Sequence, residues 1–403
     1  MSYKAATSDA SDAVTDKILF IGFDAFSHIN KPVIDQLALH FKGWSIDCVA
    51  LKPRLKKRKF TLALAFLAMI RELGMDFIRG DKKWLNWRNH FYSTGYMVRI
   101  LSEMAQEEAE KDTYAFTFQT QSLFRTPGGR FGNFIYTDHT NLHNLRYRHI
   151  RKREYLASHR FHELEKEIYH DAATVFVMSE NIRRSLIEQY GLPPEKTALV
   201  YAGAEIRPAD EDTGKFHSRN IVFAGKDWQR KGGPLLLKAF EKVLKRIPDA
   251  RLTILGCSPE TNLSNCRVLG EVSKSEVMRE FGKATVFCLP TKREPFGMVF
   301  IEAMASRLPV VCTSVGATPD LIEDGKNGFL VPYEADVLAD RLVMLLENPD
   351  LARSFAEHGY RKVTEKYTWE KVGNGMAEVI RKRIPDLREP QVSDQPDAAH
   401  GID

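Results

Sequence analysis

The chain has 403 residues, 43% hydrophobic and 28% charged, a composition that excludes a disordered or fibrous protein. Its length exceeds the size at which one hydrophobic core usually keeps growing, which predicts two domains and excludes a single small binding module. The net charge of +5 is modest, and the basic excess lies in the first half, mainly in KPRLKKRK (52–59) and RYRHIRKR (146–153).

The amino-terminal sequence and the cysteine pattern predict that the protein resides in the cytoplasm, a reducing compartment. Residues 1–16 are polar and acidic, lack the features of a secretory signal, and are predicted to form a flexible tail. The five cysteines lack metal-ligand spacing, and three lie in apolar runs, so we interpret them as buried thiols and expect no bound metal. The longest apolar run, residues 60–70, is about half as long as a membrane-spanning helix.

Strand-like and helix-like segments alternate through the first half of the chain. Residues 17–23 form an apolar run of strand length, and residues 32–41 follow with apolar residues at helical spacing. Further strands are predicted at 45–51, 114–118, 134–136, 174–178 and 197–200. This alternation predicts a mainly parallel sheet covered by helices, and we assign residues 17–205 to a first, Rossmann-like domain.

A polar linker, residues 206–219, precedes a second alternation that we assign to residues 220–365. Its predicted strands are 220–224, 251–256, 285–289, 309–313 and 328–331, and its predicted helices are 234–246, 275–281 and 297–306. Residues 356–383 are predicted to be helical, with 366–383 packing back toward the first domain, and 384–403 to be disordered. Two facing α/β domains predict a ligand cleft at the carboxyl ends of their strands.

The segment PTKREPFGMVFIEAMAS (290–306) combines a turn, a helix start and two glutamates. Its prolines predict a turn after a strand, and residues 297–306 have helical composition. A helix amino terminus presents unpaired N–H groups and partial positive charge, which suit a phosphate. Glu294 precedes this helix and Glu302 lies within it, so two carboxylates flank one anion-binding site. Two glutamates eight positions apart also arise by chance, but this setting favours a functional pair.

On these residues the chain resembles retaining glycosyltransferases of family 4, similar to those of bacterial cell-envelope and polysaccharide synthesis. The resemblance covers nearly all of residues 200–383 and is carried by REPFGMVFIEAMASRLPVVCTSVGATPDLIEDGKNGFLV. It implies the GT-B fold, in which two Rossmann-like, doubly wound α/β domains face each other across a cleft. It also implies that Glu294 contacts hydroxyls of the donor sugar and that Glu302 holds the nucleotide ribose. The donor-binding residues that it implies between them are Pro295, Phe296, Gly297, Met298 and Val299.

A basic loop, FAGKDWQRKGG (223–233), follows the first strand of the second domain. The resemblance implies that Lys226, Arg230 and Lys231 contact the donor diphosphate, with Lys231 the strongest candidate, while a solvated loop is the alternative. Lys226 stands where the family commonly has arginine, so it keeps the charge but lacks the bidentate fork. Preorganised positive charge stabilises a leaving diphosphate, and we expect no metal and no other cofactor. The DxD-like string at 210–212 is interpreted as a solvated part of the linker.

The first domain resembles the family more loosely. In FIYTDHTNLHN (134–144), His139 ends a strand at a position where related enzymes place a histidine near the reacting sugar, although a lone histidine often has a structural role. Asp138 is either its orienting partner or a turn residue. The chain departs from the family in FDAFSHINKPV (23–33), which replaces the usual glycine-rich loop. It departs again in VYAGAE (200–205), which lacks the asparagine often found before the hinge glycine, so we treat Gly203 as a backbone position only.

These features predict a retaining glycosyltransferase that moves a hexose from a nucleotide sugar, with a UDP-sugar favoured over a GDP-sugar, to a glycan, glycolipid or lipid-linked acceptor. Catalytic roles are expected for Glu294, His139 and Lys231. Same-face attack assisted by the leaving phosphate is favoured, because no carboxylate is identified as a covalent nucleophile. Two alternatives stay open: a nucleotide-sugar epimerase of the same architecture, and a catalytically idle nucleotide-sugar-binding partner of another enzyme.

The basic stretch 52–59 beside the apolar run 60–70 predicts peripheral contact of residues 52–70 with an anionic membrane, on its cytoplasmic face. A loop followed by a core helix is the alternative. The second basic cluster, residues 146–153, is interpreted as a solvated helix, since no nucleic-acid-binding motif accompanies it and no nucleic-acid partner is expected.

Overall fold

The structure is a computed structural model that describes residues 16–24, 29–74, 90–150, 157–205 and 213–384. Most of both predicted tails, the DxD-like string at 210–212, half of the linker and part of the segment 23–33 lie outside the described residues. Within the described ranges, no helix is both long and apolar enough to cross a bilayer.

The first domain is built on a parallel sheet of six strands in the order β2-β1-β3-β4-β5-β6. The central strands β3, β4 and β5 are buried along their whole length. The bounds are β1 (Lys17–Gly22), β2 (Ser45–Ala50), β3 (Phe116–Thr120), β4 (Asn133–Thr137), β5 (Thr174–Val177) and β6 (Thr197–Leu199).

Helices cover the faces of this sheet and begin where the sequence supplies capping groups. The bounds in the described ranges are α1 (Asn30–His40), α2 (Leu51–Leu55), α3 (Lys59–Leu73), α4 (Gly95–Ala109), α5 (His159–Asp171) and α6 (Glu180–Glu188). Thr94, Ser158 and Ser179 cap the amino ends of α4, α5 and α6, each hydroxyl accepting a hydrogen bond from a backbone N–H three residues on. A short 3-10 helix, Asn141–Arg146, follows β4.

The second domain has its own parallel sheet, in the order β12-β11-β10-β7-β8-β9. Its strands are β7 (Asn220–Ala224), β8 (Arg251–Leu255), β9 (Cys266–Gly270), β10 (Val286–Leu289), β11 (Val310–Thr313) and β12 (Gly328–Val331). Its helices are α7 (Gly233–Arg246), α8 (Lys274–Lys283), α9 (Met298–Ala305), α10 (Thr318–Leu321), α11 (Ala335–Glu347) and α12 (Pro349–Lys366). Strands β7 and β10 are neighbours at the point where the strand order reverses, and this is where open α/β sheets bind ligands.

The last helix, α13 (Trp369–Arg383), returns to the first domain and packs on α1. Gly373 of α13 approaches Gln36 so closely that an added Cβ would lie 2.2 Å from the Gln36 Oε1 atom. The two passages of the chain between the domains lie side by side, because Ala204 pairs with Thr368 in a parallel β-bridge. A Cβ at Gly203 would lie 2.3 Å from the backbone nitrogen of Trp369, so this close crossing requires glycine.

The expectation of buried cysteines was wrong for part of the set. Cys288 and Cys312, in β10 and β11, are buried, whereas Cys257 and Cys266 are half-buried and Cys48 is exposed. Cys48 lies in β2 and Cys266 begins β9, and both strands are sheet edges, so one side of each strand lacks a covering neighbour. The predicted single helix over 356–383 is two helices, α12 and α13, separated at Tyr367 and Thr368.

Candidate active site

The loop between β10 and α9, together with α9 itself, holds the two glutamates that the sequence singled out. Gly297 caps α9 in the left-handed conformation, with φ of 95°, and the helix starts at the next residue. Glu294 lies in the loop with its carboxylate buried, and Glu302 lies within α9, half-buried, with its carboxylate 3.7 Å from the ammonium of Lys274. The loop therefore places one carboxylate on each side of a helix amino terminus.

The basic loop after β7 lies directly against this loop. Lys231 forms a buried ion pair with Glu294. Gly232 has φ of 80°, and a Cβ there would lie 1.8 Å from the carbonyl oxygen of Pro290, so the two loops are in backbone contact. Burial lowers the pKa of the Lys231 ammonium, while the Glu294 carboxylate acts in the opposite direction.

The other predicted donor-binding residues are brought to the same place with different exposure. Arg230 donates a hydrogen bond from Nη1 to the carbonyl oxygen of Arg293 at 2.8 Å, which ties the basic loop to the glutamate loop. Lys226 is exposed at the rim, 3.7 Å from Glu271. Phe296 is buried, whereas Pro295, Met298 and Val299 are half-buried around the start of α9.

Residues of the first domain meet this loop across the cleft through Arg293. Its Nε donates to Oδ1 of Asn144 at 2.8 Å, and its Nη2 lies 3.0 Å from Nε2 of His139. A guanidinium only donates, which favours an accepting Nε2, whereas Oδ1 of Asn144, 3.1 Å from the same nitrogen, only accepts and favours a donating Nε2. The other ring nitrogen of His139, Nδ1, is buried and has no hydrogen-bond partner within the described residues. His139 thus presents one ring nitrogen that is available to a bound molecule.

Burial sets the protonation states on this side of the cleft. It lowers the pKa of His139 well below its ordinary value, and the positive charge of Arg293 adds to the effect. Burial also raises the pKa of Asp138 to about 6, although Arg293 opposes the shift. A neutral imidazole and a carboxyl that titrates close to neutrality therefore lie side by side in the sequence and face the same guanidinium.

A cavity of about 240 Å³ opens beside His139 and Arg293 on the first-domain side. It is bounded by ends of β3 and β4 and by α5, and its lining is mostly polar. The charged and polar side chains that line it include Ser93, Gln121, Asp138, Asn141, Asn144 and Glu165. Within the described ranges no group of three or more His, Cys, Asp or Glu side chains is arranged to hold a metal ion.

The sequence prediction missed the residues that join the domains. Arg293 directly precedes Glu294. This adjacency was the available signal of a contact between the domains, because neighbouring loop residues point to different walls of a narrow cleft. Tyr147 was placed in a solvated helix and His143 was given no role, yet both side chains are buried. Their rings lie 5.1 Å apart at 87°, in the edge-to-face arrangement. The aromatic Tyr147 between Arg146 and Arg148 was the overlooked sign that this segment packs against the protein and is not a solvated helix.

Two family models match the chain, one in each domain. A family model described as Glycosyltransferase Family 4 matches residues 114–207, and one described as Glycosyl transferases group 1 matches residues 218–348. D-inositol 3-phosphate glycosyltransferase of Corynebacterium aurimucosum is 27% identical over 55% of this chain and 61% of its own. Phosphatidyl-myo-inositol mannosyltransferase of Mycobacterium tuberculosis is 34% identical over 40% of this chain and 46% of its own. The chain thus spans about half to two thirds of the length of these curated relatives.

Solved structures share the fold at low sequence identity. HepE from Anabaena, in complex with UDP-glucose, superposes with a TM-score of 0.61 at 16% identity, covering 91% of this chain and 99% of its own. Sucrose-phosphate synthase from Thermosynechococcus elongatus gives a TM-score of 0.60 at 19% identity, over 72% of this chain and 78% of its own. With two facing six-stranded parallel sheets and family matches in both domains, the chain belongs to glycosyltransferase family 4 and has the GT-B fold.

Proposed function

We propose that the protein is a retaining glycosyltransferase that moves a hexose from a nucleotide sugar, preferably a UDP-sugar, to a glycan, glycolipid or lipid-linked acceptor. The observation that carries the proposal is the buried ion pair of Lys231 and Glu294 at the amino terminus of α9. It supports one site that holds both an anionic diphosphate and the hydroxyls of a sugar. The UDP-glucose bound by the structural neighbour HepE supports uridine as the base.

In the proposed reaction, the bond between the sugar and the diphosphate breaks as positive charge develops at the anomeric carbon. Lys231, Arg230, Lys226 and the N–H groups at the start of α9 stabilise the negative charge of the departing diphosphate. The acceptor hydroxyl attacks from the same face and passes its proton to the leaving phosphate, so configuration is retained. His139 forms a hydrogen bond to the sugar through Nδ1, and no metal is needed. Trapping a glycosyl group on a side chain would contradict this mechanism.

Replacement of the loop glutamate is the direct test. We expect Glu294→Ala to lower turnover at least ~100-fold, because it removes the group that orients the sugar and leaves Lys231 unpaired. Turnover is measured as nucleotide release from UDP- and GDP-sugars, with and without bacterial lipid extract. Glu347→Ala, at an exposed glutamate that ends α11, is the matched control. Circular dichroism checks that both variants fold, and unchanged turnover in Glu294→Ala would remove the assignment.

The same assay separates the three candidate functions. Nucleotide release that depends on an acceptor supports the transferase. Epimerised donor without an acceptor supports an epimerase of the same architecture. Binding of nucleotide sugar without either reaction supports an idle binding partner.

We also propose that α3 contacts an anionic membrane, which suits a lipid-linked acceptor. Phe60, Leu64 and Leu67 form an exposed stripe, with Phe60 77% and Leu67 61% exposed, opposite the buried residues Ala65 and Met69. The exposed lysines at 56, 57 and 59 adjoin this stripe, and apolar side chains beside basic ones are typical of interfacial helices.

Vesicle sedimentation tests the membrane contact. We expect the double variant Phe60→Ser/Leu67→Ser to bind phosphatidylglycerol vesicles about tenfold more weakly than the unmodified protein, because it loses two exposed apolar side chains that would insert into the bilayer. Leu39→Ser, at a residue of α1 that is 51% exposed, is the control for a general loss of surface apolarity. Equal binding of all three proteins, or no preference over phosphatidylcholine vesicles, would contradict the contact.

A further inference from the structure

A second and larger cavity, of about 630 Å³, lies between the domains beside the proposed sugar site. One wall is the first-domain segment from His143 to His149, and the other is formed by the loops that follow β11 and β12. Its volume falls within the range of small-molecule sites. The proposed donor contacts do not use it, since Lys231, Glu294 and Glu302 are not among its lining residues.

His143 supplies a buried donor to this cavity. The side chain is 1% exposed, and its Nε2 lies 2.9 Å from the amide nitrogen of Asn181, which donates to it. The ring proton therefore resides on Nδ1, and this atom has no hydrogen-bond partner within the described residues. An unsatisfied buried donor is energetically unfavourable, so such a group points to a ligand that satisfies it.

Tyr147 supplies a second donor. Its hydroxyl is buried and, like Nδ1 of His143, has no partner among the described residues. The hydroxyl lies against Gly316, whose φ is 57° and where an added Cβ would lie 2.9 Å from the oxygen. Gly316 therefore leaves room around the hydroxyl that any other residue would fill.

The charge around these two donors is predominantly positive. Arg146, Arg148 and His149 line the same wall, and Glu334 is the acidic residue in the lining. Arg146 is paired with Glu188, so Arg148 is the cation best placed to meet a ligand. Burial and the positive charges of Arg146, Arg293 and Arg184 lower the pKa of His143 to about 4, which indicates a field that favours an anion.

We propose that this cavity binds a phosphate ester carried by the acceptor, with His143, Tyr147 and Arg148 as its ligands. This rests on the proposed transferase function and names the class of its second substrate. A phosphate presents three strong acceptor oxygens, which match the imidazole N–H, the phenol O–H and the guanidinium; a carboxylate has two. The site lies next to His139, since the rings of His139 and Tyr147 are 6.5 Å apart, so a phosphate here would hold the acceptor near the sugar.

Isothermal titration calorimetry with glycerol 3-phosphate, in the presence of saturating UDP, tests the proposal. UDP fills the donor diphosphate site, so the added phosphate ester reports on a separate site. We expect Tyr147→Phe and Arg148→Ser each to weaken binding of the ester about tenfold or more, since each removes one charge-assisted hydrogen bond. Arg361→Ser, at an exposed arginine of α12, makes the same change of charge elsewhere and should bind as the unmodified protein does.

Parallel titrations identify the kind of ester. Tighter binding of glycerol 3-phosphate supports an acceptor with a terminal phosphate, and tighter binding of glycerophosphoglycerol supports a phosphodiester such as a lipid head group. Glycerol, acetate and sulfate complete the series. Tighter binding of acetate than of both esters, no binding of either ester, or equal binding by Tyr147→Phe, Arg148→Ser and the unmodified protein would overturn the proposal.

The two proposals fail separately. If UDP does not bind, the donor assignment fails, and the ester titration without UDP still decides the second site through its dependence on Tyr147. If UDP binds and the esters do not, the phosphate site alone is wrong.

Discussion

Arg293 shows how one side chain couples the two halves of the cleft. Its guanidinium extends from the glutamate loop of the second domain to His139 and Asn144 of the first. Lysine at this position would retain the charge but would have one donor nitrogen in place of the two, Nε and Nη2, that Arg293 uses. The residue therefore contacts the ring of His139 directly, in addition to bridging the two domains.

Removal of this guanidinium should change the pH dependence of the reaction. Arg293 lowers the pKa of His139, so Arg293→Met should raise that pKa. If turnover requires neutral His139, the acid-side midpoint of the kcat/KM profile moves to higher pH, and kcat/KM falls about tenfold or more with the lost bonds. Arg279→Met, at an exposed arginine of α8, is the control. An unshifted profile in Arg293→Met would show that Arg293 does not act through His139.

At the scale of elements, the sequence predicted most of the strands and helices that carry the proposed donor site. The predicted start of α9 lies one residue from the observed one, because a proline turn and a glycine leave little freedom there. Strand β9 was missed, since it is an edge strand without a buried apolar run. The meeting of Arg293 with His139 was also beyond prediction, because residues 154 positions apart meet only through the relative placement of two domains.

Because the two second-domain loops are in contact, adding one methyl group at Gly232 should lower the stability of the protein and weaken UDP binding. Gly232→Ala would force a positive φ on alanine and place its Cβ against the Pro290 carbonyl, so the loops must separate. We expect a loss of about 1–3 kcal/mol in the free energy of unfolding and weaker UDP binding. Gly282→Ala, in α8 with open space around it, should be neutral or stabilising. Urea unfolding and calorimetry measure both, and equal UDP affinity in the two variants would contradict the loop contact.

At the scale of the whole molecule, buried ionisable groups make stability depend on pH. Glu165 accepts hydrogen bonds from the hydroxyl groups of Ser122 and Tyr190 and from the backbone N–H of Asn141, yet burial still raises its pKa to about 7. The folded state therefore keeps a proton that the unfolded state releases above its ordinary pKa of 4.5.

The free energy of unfolding should consequently fall as pH rises from about 4.5 to 7, by about 1.4 kcal/mol per pH unit from this group. Glu165→Gln lacks this contribution. Urea unfolding at several pH values should show the stability of the unmodified protein, relative to Glu165→Gln, decreasing by about 3 kcal/mol across that window. A difference that stays constant with pH would mean that Glu165 is ionised throughout.

The return of α13 to the first domain has a consequence for the order in which the molecule is assembled during synthesis. Helix α1 is made early but is covered by residues 369–383, which leave the ribosome only after the entire second domain. The second domain can thus fold as a continuous unit, while the first must wait with part of its core exposed. The half of the molecule that is translated first is therefore the last to be completed.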